Sequence, residues 1–190
     1  MSNLWSDIFN RNLWKGKESR SGPGSDPWAT ELLRRQLPAL VEELKVTTML
    51  NVGCGDDIWM PDLTGIEYTG CDIAPEAVYA ARARHPEWRY YVTDARIPGN
   101  LGNGWGDLVL CRDVLTHLSL NDGLTVLSNV RGSGAKWLLT TTFQHAENVD
   151  IESGHGWHRV NMEHAPFDLG TPQRLIQEGW EDKFLGLWAL

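Results

Sequence analysis

The stretch that decides the fold is Asn51-Val52-Gly53-Cys54-Gly55-Asp56, which closes an apolar run opening at Met49. Two glycines directly after a short strand let the backbone turn tightly and approach a ligand closely. Alone, such a turn also suits an ordinary strand-to-helix connection. Asp72 adds weight to the ligand reading. It closes a second run, Tyr68-Thr69-Gly70-Cys71-Asp72-Ile73, 19 positions after Gly53. A carboxylate placed there can accept from both ribose hydroxyls of a nucleotide. Asp94 closes a third run from Arg89, where it can accept from an adenine amino group.

Working outward, Ala74-Pro75-Glu76 opens a helix that runs to about His85, between the second and third strands. Asp107 to Cys111 is a fourth strand. Ser119 to Asp122 resembles a capping box for a helix over Leu124, Leu127 and Val130, closed by Gly132 and Gly134. Trp137 to Thr142 is a fifth strand. Thr171-Pro172 predicts another helix, ended by Gly179, and Lys183 to Leu190 a final apolar strand. Upstream, Ser25-Asp26-Pro27 has the form of a helix start. Leu32, Leu33, Leu37, Leu40, Val41 and Leu44 then predict two short helices broken near Pro38. Strands alternating with helices predict an α/β fold: a doubly wound, mostly parallel sheet with helices on both faces. Its ligand belongs at the C-terminal strand ends.

The chain has 190 residues, 42% of them hydrophobic, which suits one domain with its own core. Within 1–190, residues 1–26 read as a leading loop or lid, 27–45 as leading helices and 46–190 as the α/β core. Lys and Arg total 17 and Asp and Glu 25, a net charge of −8 that argues against a duplex-tracking protein. The three cysteines, Cys54, Cys71 and Cys111, form no CxxC pair, so neither a disulfide frame nor a zinc ribbon is expected. A reducing, cytoplasmic setting fits. The first 20 residues lack the apolar run of a signal peptide, and no stretch approaches the ~20 apolar residues of a spanning helix. Most of the ten tryptophans are expected in core or pocket walls, Trp180 and Trp188 in core.

A dinucleotide fingerprint requires a third glycine, which would fall at position 58; that residue is Ile58. The pattern therefore favours a nucleoside without a pyrophosphate. The sequence VGCGD, then CDI, then VTDA, then DLVLCRDVLTHL resembles the class I S-adenosylmethionine-dependent methyltransferases. The likeness is closest to a small branch of bacterial and phage-type enzymes of unassigned substrate. That branch also carries a leading ESxSGxGS segment and a TTTF strand, both found here. Asn51 departs from the Asp or Glu usual at its position.

The resemblance implies S-adenosylmethionine as cofactor and S-adenosylhomocysteine as product. Gly53, Cys54 and Gly55 would pass the backbone beside the methionine part, with Asn51 opening the loop. Asp72 would hold the ribose and Ile73 pack on adenine. Asp94 and Ala95 would bind the adenine edge, and Cys111 and Arg112 line the floor under the sulfonium. Arg112, Arg20 or the hydroxyls of Ser19, Ser21 and Ser25 would donate to the amino-acid carboxylate. ESRSGPGS reads either as a flexible linker or as a lid, with Trp14 as a wall.

For chemistry, Asp113 and His117 follow the fourth strand four positions apart, and either is a candidate base. The loop Gly154 to Asn161 offers Trp157, Arg159 and Asn161 for acceptor recognition. His155, His158 and His164 with Glu147 and Asp150 lack convincing ligand spacing, so no metal is expected. The position after the fourth strand reads CRDV, not the NPPY- or DPPY-type tetrapeptide that amino-methyltransferases of DNA bases would show by resemblance. A small-molecule acceptor is favoured over protein or nucleic acid. The competing classes are a nicotinamide-dependent oxidoreductase and a non-catalytic nucleoside-binding module.

Overall fold

The computed structural model describes residues 4–104, 106–179 and 182–190. Five parallel strands are β1 (Thr48–Val52), β2 (Glu67–Asp72), β3 (Arg89–Val92), β4 (Leu108–Cys111) and β5 (Trp137–Phe143). β6 (Arg174–Gln177) and β7 (Lys183–Ala189) complete a seven-stranded sheet of order β3-β2-β1-β4-β5-β7-β6, with β7 antiparallel to both neighbours. The helices are α1 (Leu4–Asn10), α2 (Glu31–Glu43), α3 (Pro75–Arg84) and α4 (Leu120–Gly132).

The pleat sorts the strand residues between two cores. Met49, Tyr68, Leu108, Leu110, Leu139, Leu185 and Leu187 pack with Leu33, Leu37 and Leu40 of α2 and Val78 and Ala81 of α3. On the other face, Leu50, Val52, Val109, Cys111, Leu138 and Trp188 pack with Val126, Leu127 and Val130 of α4. Helices thus cover both faces, as the parallel strands require. The Ser119 hydroxyl accepts from Asp122 N–H and caps α4, while Leu124 turns to solvent.

Four local expectations are corrected. Residues 171–179 do not form a helix: Arg174–Gln177 is an edge strand on β7, with Ile176 buried and its neighbours more exposed. Pro172 suits the entry to an edge strand as well as it suits a helix start. Pro38 does not break α2 in two. The loss of one backbone bond is offset by Leu33, Leu37, Leu40 and Val41, which are buried on both sides of it. The helix begins at Glu31 rather than at Pro27, because Asp26 is turned back on its own loop, accepting from the N–H groups of Lys17, Glu18 and Ser19. Residues 1–26 contain the helix α1, whose Ile8 and Phe9 are buried. Trp188 is core, and Trp180 lies outside the described residues. Among the described residues no helix is long and apolar enough to cross a membrane.

Candidate cofactor and methyl-transfer site

A cavity opens at the C-terminal ends of β1, β2, β3 and β4. The sheet supplies Asn51, Gly53, Cys54, Gly55, Asp72, Ile73, Asp94, Ala95, Arg112 and Asp113. The leading segment supplies Trp5, Ile8, Phe9, Trp14, Ser21 and Ser25. Parallel strands that all end in turns leave their last side chains around one crevice, so residues far apart in sequence converge there.

The glycine loop is built on backbone. Gly53 and Gly55 have φ of 71° and 59°, a region L side chains rarely adopt. A Cβ on Gly53 would stand 2.2 Å from Val114, and one on Gly55 2.2 Å from the Ser21 hydroxyl. Gly55 N–H donates to Asp72 Oδ2 at 2.9 Å and Ala74 N–H to Oδ1 at 2.8 Å. Burial pushes the Asp72 carboxyl up, against the pull of those N–H groups. It stays an acceptor with lone pairs to spare, as a ribose diol needs. No helix follows the loop before β2. A pyrophosphate would require a helix N-terminus there, so the dinucleotide reading loses its binding element.

Asp94 lines the cavity, yet both its oxygens already accept from the Arg96 guanidinium, at 2.9 and 2.7 Å. Those bonds hold its carboxyl below the ordinary range. Asn51 also lines the cavity, while its amide donates away from it, to Tyr68 Oη at 2.8 Å and Asp57 Oδ1 at 3.3 Å.

Three expected residues fall elsewhere. Cys111 is buried in the sheet core rather than on the cavity floor, because its side chain points to the α4 face of β4. Ser19 is buried beneath the leading loop, with its hydroxyl donated to Asp56 Oδ1 at 2.8 Å. Arg20 Nη1 binds the Asn10 carbonyl, and Arg20 is not among the lining residues. Ser25 lines the cavity from a short 3-10 turn, Pro23–Ser25, instead of opening a helix. Ser21 lines it too, its oxygen accepting from Asp56 N–H.

The floor holds a buried ion cluster that the sequence did not reveal. Arg112 Nε donates to Glu178 Oε2 at 2.9 Å, Nη2 reaches the same oxygen, and Nη1 stands 3.2 Å from Asp113 Oδ2. Lys183 Nζ donates to Asp113 Oδ2 at 2.7 Å and stands 3.3 Å from Glu178 Oε2. Arg112 Nη2 also donates to the Gly24 carbonyl at 2.8 Å, and Trp59 lies 5.2 Å from the guanidinium carbon. Every guanidinium nitrogen of Arg112 is therefore engaged, as are the N–H groups of residues 53–57, which leaves a ligand carboxylate to the Ser21 and Ser25 hydroxyls. Burial opposes the charge on Asp113, but Lys183 and Arg112 outweigh it and hold the carboxyl well below the usual range.

Asp113, in the left-handed region at φ 58°, leads into the 3-10 turn Leu115–His117. His117 lines the cavity and stacks on Trp14, with ring centroids 4.5 Å apart and planes at 22°. Its Nδ1 lies 3.0 Å from the Gly156 carbonyl. A carbonyl only accepts, so Nδ1 carries the proton and Nε2 keeps its lone pair. Burial lowers the imidazole's affinity for a second proton, partly offset by Gly156 and Asp113.

The loop expected to recognise an acceptor sits behind His117 instead. Gly154 N–H donates to the His117 carbonyl at 2.8 Å and His158 N–H to the Thr116 carbonyl at 2.9 Å. Trp157 and Arg159 are exposed and meet at Phe143, at 5.6 and 5.7 Å from its ring. Asn161 is buried, its amide donating to the Gln144 carbonyl. None of the three lines the cavity. Both ring nitrogens of His158 face backbone carbonyls, and among the described residues no group of three or more His, Cys, Asp or Glu could hold a metal.

Residues 50–133 match a protein family described as "Methyltransferase domain". A search of curated protein sequences finds no match. Solved structures match over nearly the whole chain. Magnesium protoporphyrin IX methyltransferase (ChlM) from Synechocystis PCC 6803 with bound S-adenosylmethionine aligns at a TM-score of 0.64 and 16% identity, covering 98% of this chain and 95% of that one. The methyltransferase domain of bacterial CtHen1 aligns at 0.66 and 14%, covering 85% and 100%. The N-terminal domain of EvdMO1, solved with S-adenosylhomocysteine and D-fucose, aligns at 0.60 and 12%, covering 82% of each chain. The match over residues 50–133 and the Rossmann-like sheet make this chain similar to S-adenosylmethionine-dependent methyltransferases. The oxidoreductase alternative is not favoured.

Proposed function

We propose that the cavity binds S-adenosylmethionine between the glycine loop and the leading segment, and that a small molecule accepts its methyl group beside His117. The residues fit the cofactor. Asp72 offers acceptors for a diol, Ile73 and Ala95 an apolar slot for adenine, and Trp14 and Trp59 π-faces toward a cation. Asp94, steadied by Arg96, faces the adenine edge. Ser21 and Ser25 serve the carboxylate.

When bound, the cofactor would supply an electrophilic methyl carbon, its sulfur–methyl bond breaking as the bond to the acceptor forms, to leave S-adenosylhomocysteine. His117 Nε2 takes the proton of the acceptor's nucleophile as the new bond forms, while Nδ1–H stays on the Gly156 carbonyl. Asp113 steadies the resulting imidazolium. Fixed as an anion by Lys183 and Arg112, it is a poor proton acceptor itself.

The wall that the leading segment adds to the cavity carries the small-molecule reading. Trp5, Ile8 and Phe9 of α1 and Trp14 line it, and Trp14 is held on His117 by the ring stack. The acidic charge points the same way. Two structural neighbours name small molecules in their descriptions, a magnesium porphyrin and D-fucose. We read residues 1–190 as one domain, and the three buried free thiols as suited to the cytoplasm.

The test incubates the enzyme with methyl-tritiated S-adenosylmethionine and separate small-molecule, protein and RNA fractions of a cell extract. Label is expected in the small-molecule fraction. Label confined to protein or RNA contradicts the reading.

A further inference from the structure

Beneath the glycine loop lies a polar cluster centred on a carboxylate that does not line the cavity. Asp57 is fully buried at the end of the loop, with φ 53°. Its Oδ2 accepts from the Tyr68 hydroxyl at 2.6 Å and the Tyr90 hydroxyl at 2.8 Å, and its Oδ1 from Asn51 Nδ2 at 3.3 Å. β1, β2 and β3 thus each send one donor to one carboxylate. Gly70, in the middle of β2, makes the room: a Cβ there would stand 2.6 Å from the Tyr90 ring and 3.1 Å from Cys54 Sγ. Asp57 N–H closes the turn on the Cys54 carbonyl at 3.2 Å. Gly53 and Gly55, on the same loop, and Asn51, near the end of β1, line the cavity.

We propose that Asp57 is a positioning residue for the cofactor: its carboxylate, clamped by Tyr68, Tyr90 and Asn51, holds the Gly53–Asp57 turn in its binding shape, and its ionisation sets cofactor affinity. The titratable groups facing Asp57 are Tyr68 from β2, Tyr90 from β3, and Cys54 and Asp56 from its own loop; Asp72 at the end of β2 holds the same loop at Gly55, and Arg84 of α3 donates to the Asp56 carbonyl at 3.3 Å rather than to the carboxylate. Burial pushes Cys54, Tyr68 and Tyr90 further up from their ordinary ranges. Burial brings the Asp57 carboxyl up to about 7, despite the hydroxyls that favour its anion. The anion accepts from every donor around it. A proton on Oδ1 would face the Asn51 Nδ2 donor, and a proton on Oδ2 would face the two hydroxyls; either way a donor meets a donor and the clamp rearranges. Cofactor affinity therefore falls as pH drops through about 7.

The inference rests on the cavity being the cofactor site. The test is calorimetric titration with S-adenosylhomocysteine from pH 6 to pH 8 for the wild type, Tyr90→Phe and Asp57→Asn. The wild type should lose about tenfold in affinity toward pH 6, as one linked proton allows. Tyr90→Phe, the milder variant, removes one bond to the anion and should move the midpoint upward by about one pH unit. Asp57→Asn should bind weakly with no dependence across this range. A wild type indifferent to pH, or variants weakened by the same factor at every pH, would mean an ordinary structural role and overturn the proposal. No binding by the wild type at any pH would overturn the cavity assignment and the clamp with it.

Discussion

Asp57 and Asp113 both stand at the C-terminal edge of the same sheet, the first fully buried and the second half-buried, and the protein treats them oppositely. Around Asp57 stand neutral donors, two tyrosines and an asparagine, and burial dominates, so the carboxyl sits near neutrality. Around Asp113 stand Arg112 and Lys183, and the charge is locked in. The first arrangement makes a group that responds to pH beneath the cofactor loop. The second makes a permanent anion beside His117. Burial alone does not decide a carboxylate's state; the choice between dipoles and cations as partners does.

The largest expected effect comes from breaking the locked side. Arg112→Met leaves Glu178 and Asp113 sharing Lys183, and removing one partner of a buried ion network costs about 3–5 kcal/mol. The midpoint of urea unfolding reads this, and a loss under about 1 kcal/mol would mean the cluster is not held as described. Next, His117→Ala should lower kcat by about 100-fold or more, the scale of a positioned base. Affinity for S-adenosylhomocysteine should stay within roughly threefold in that variant, since a single stacked pair contributes little. An unchanged kcat would remove the base from the mechanism.

A pH series sharpens the contrast without mutation. The base works unprotonated, and burial lowers the His117 imidazole. The acid limb of kcat should therefore lie below the ordinary imidazole value of about 6.5. The limb in cofactor KM should follow Asp57, near 7. One shared limb in both parameters would dissolve the distinction. The smallest effect is expected for Trp14→Leu, which removes the stack on His117 and should weaken cofactor binding by roughly 2- to 10-fold.

What the sequence made legible follows from what is local. Strand ends at Gly53, Asp72, Asp94 and Asp113 could be read because apolar runs stop at polar residues in a regular order. The α/β architecture followed from the same alternation. The ion cluster could not be read that way. Glu178 and Lys183 lie 66 and 70 positions from their partners, and only the antiparallel β6–β7 pair brings them under β4. The same pair was obscured by Thr171-Pro172, a helix-start signal in a chain that enters an edge strand. Trp157 and Arg159 looked like acceptor ligands by residue type, but their loop braces the back of His117. The signal for α1 was present, since Leu4, Trp5, Ile8 and Phe9 recur at helical spacing, but the polar residues around them masked it.

The central claim is that Asp72 and the glycine loop form the cofactor site. Calorimetric titration of the wild type and Asp72→Ala with S-adenosylhomocysteine tests it most directly. Micromolar binding is expected for the wild type and a loss of about 100-fold for the variant, the scale of two hydrogen bonds to a charged group. Equal affinity in the two proteins would contradict it.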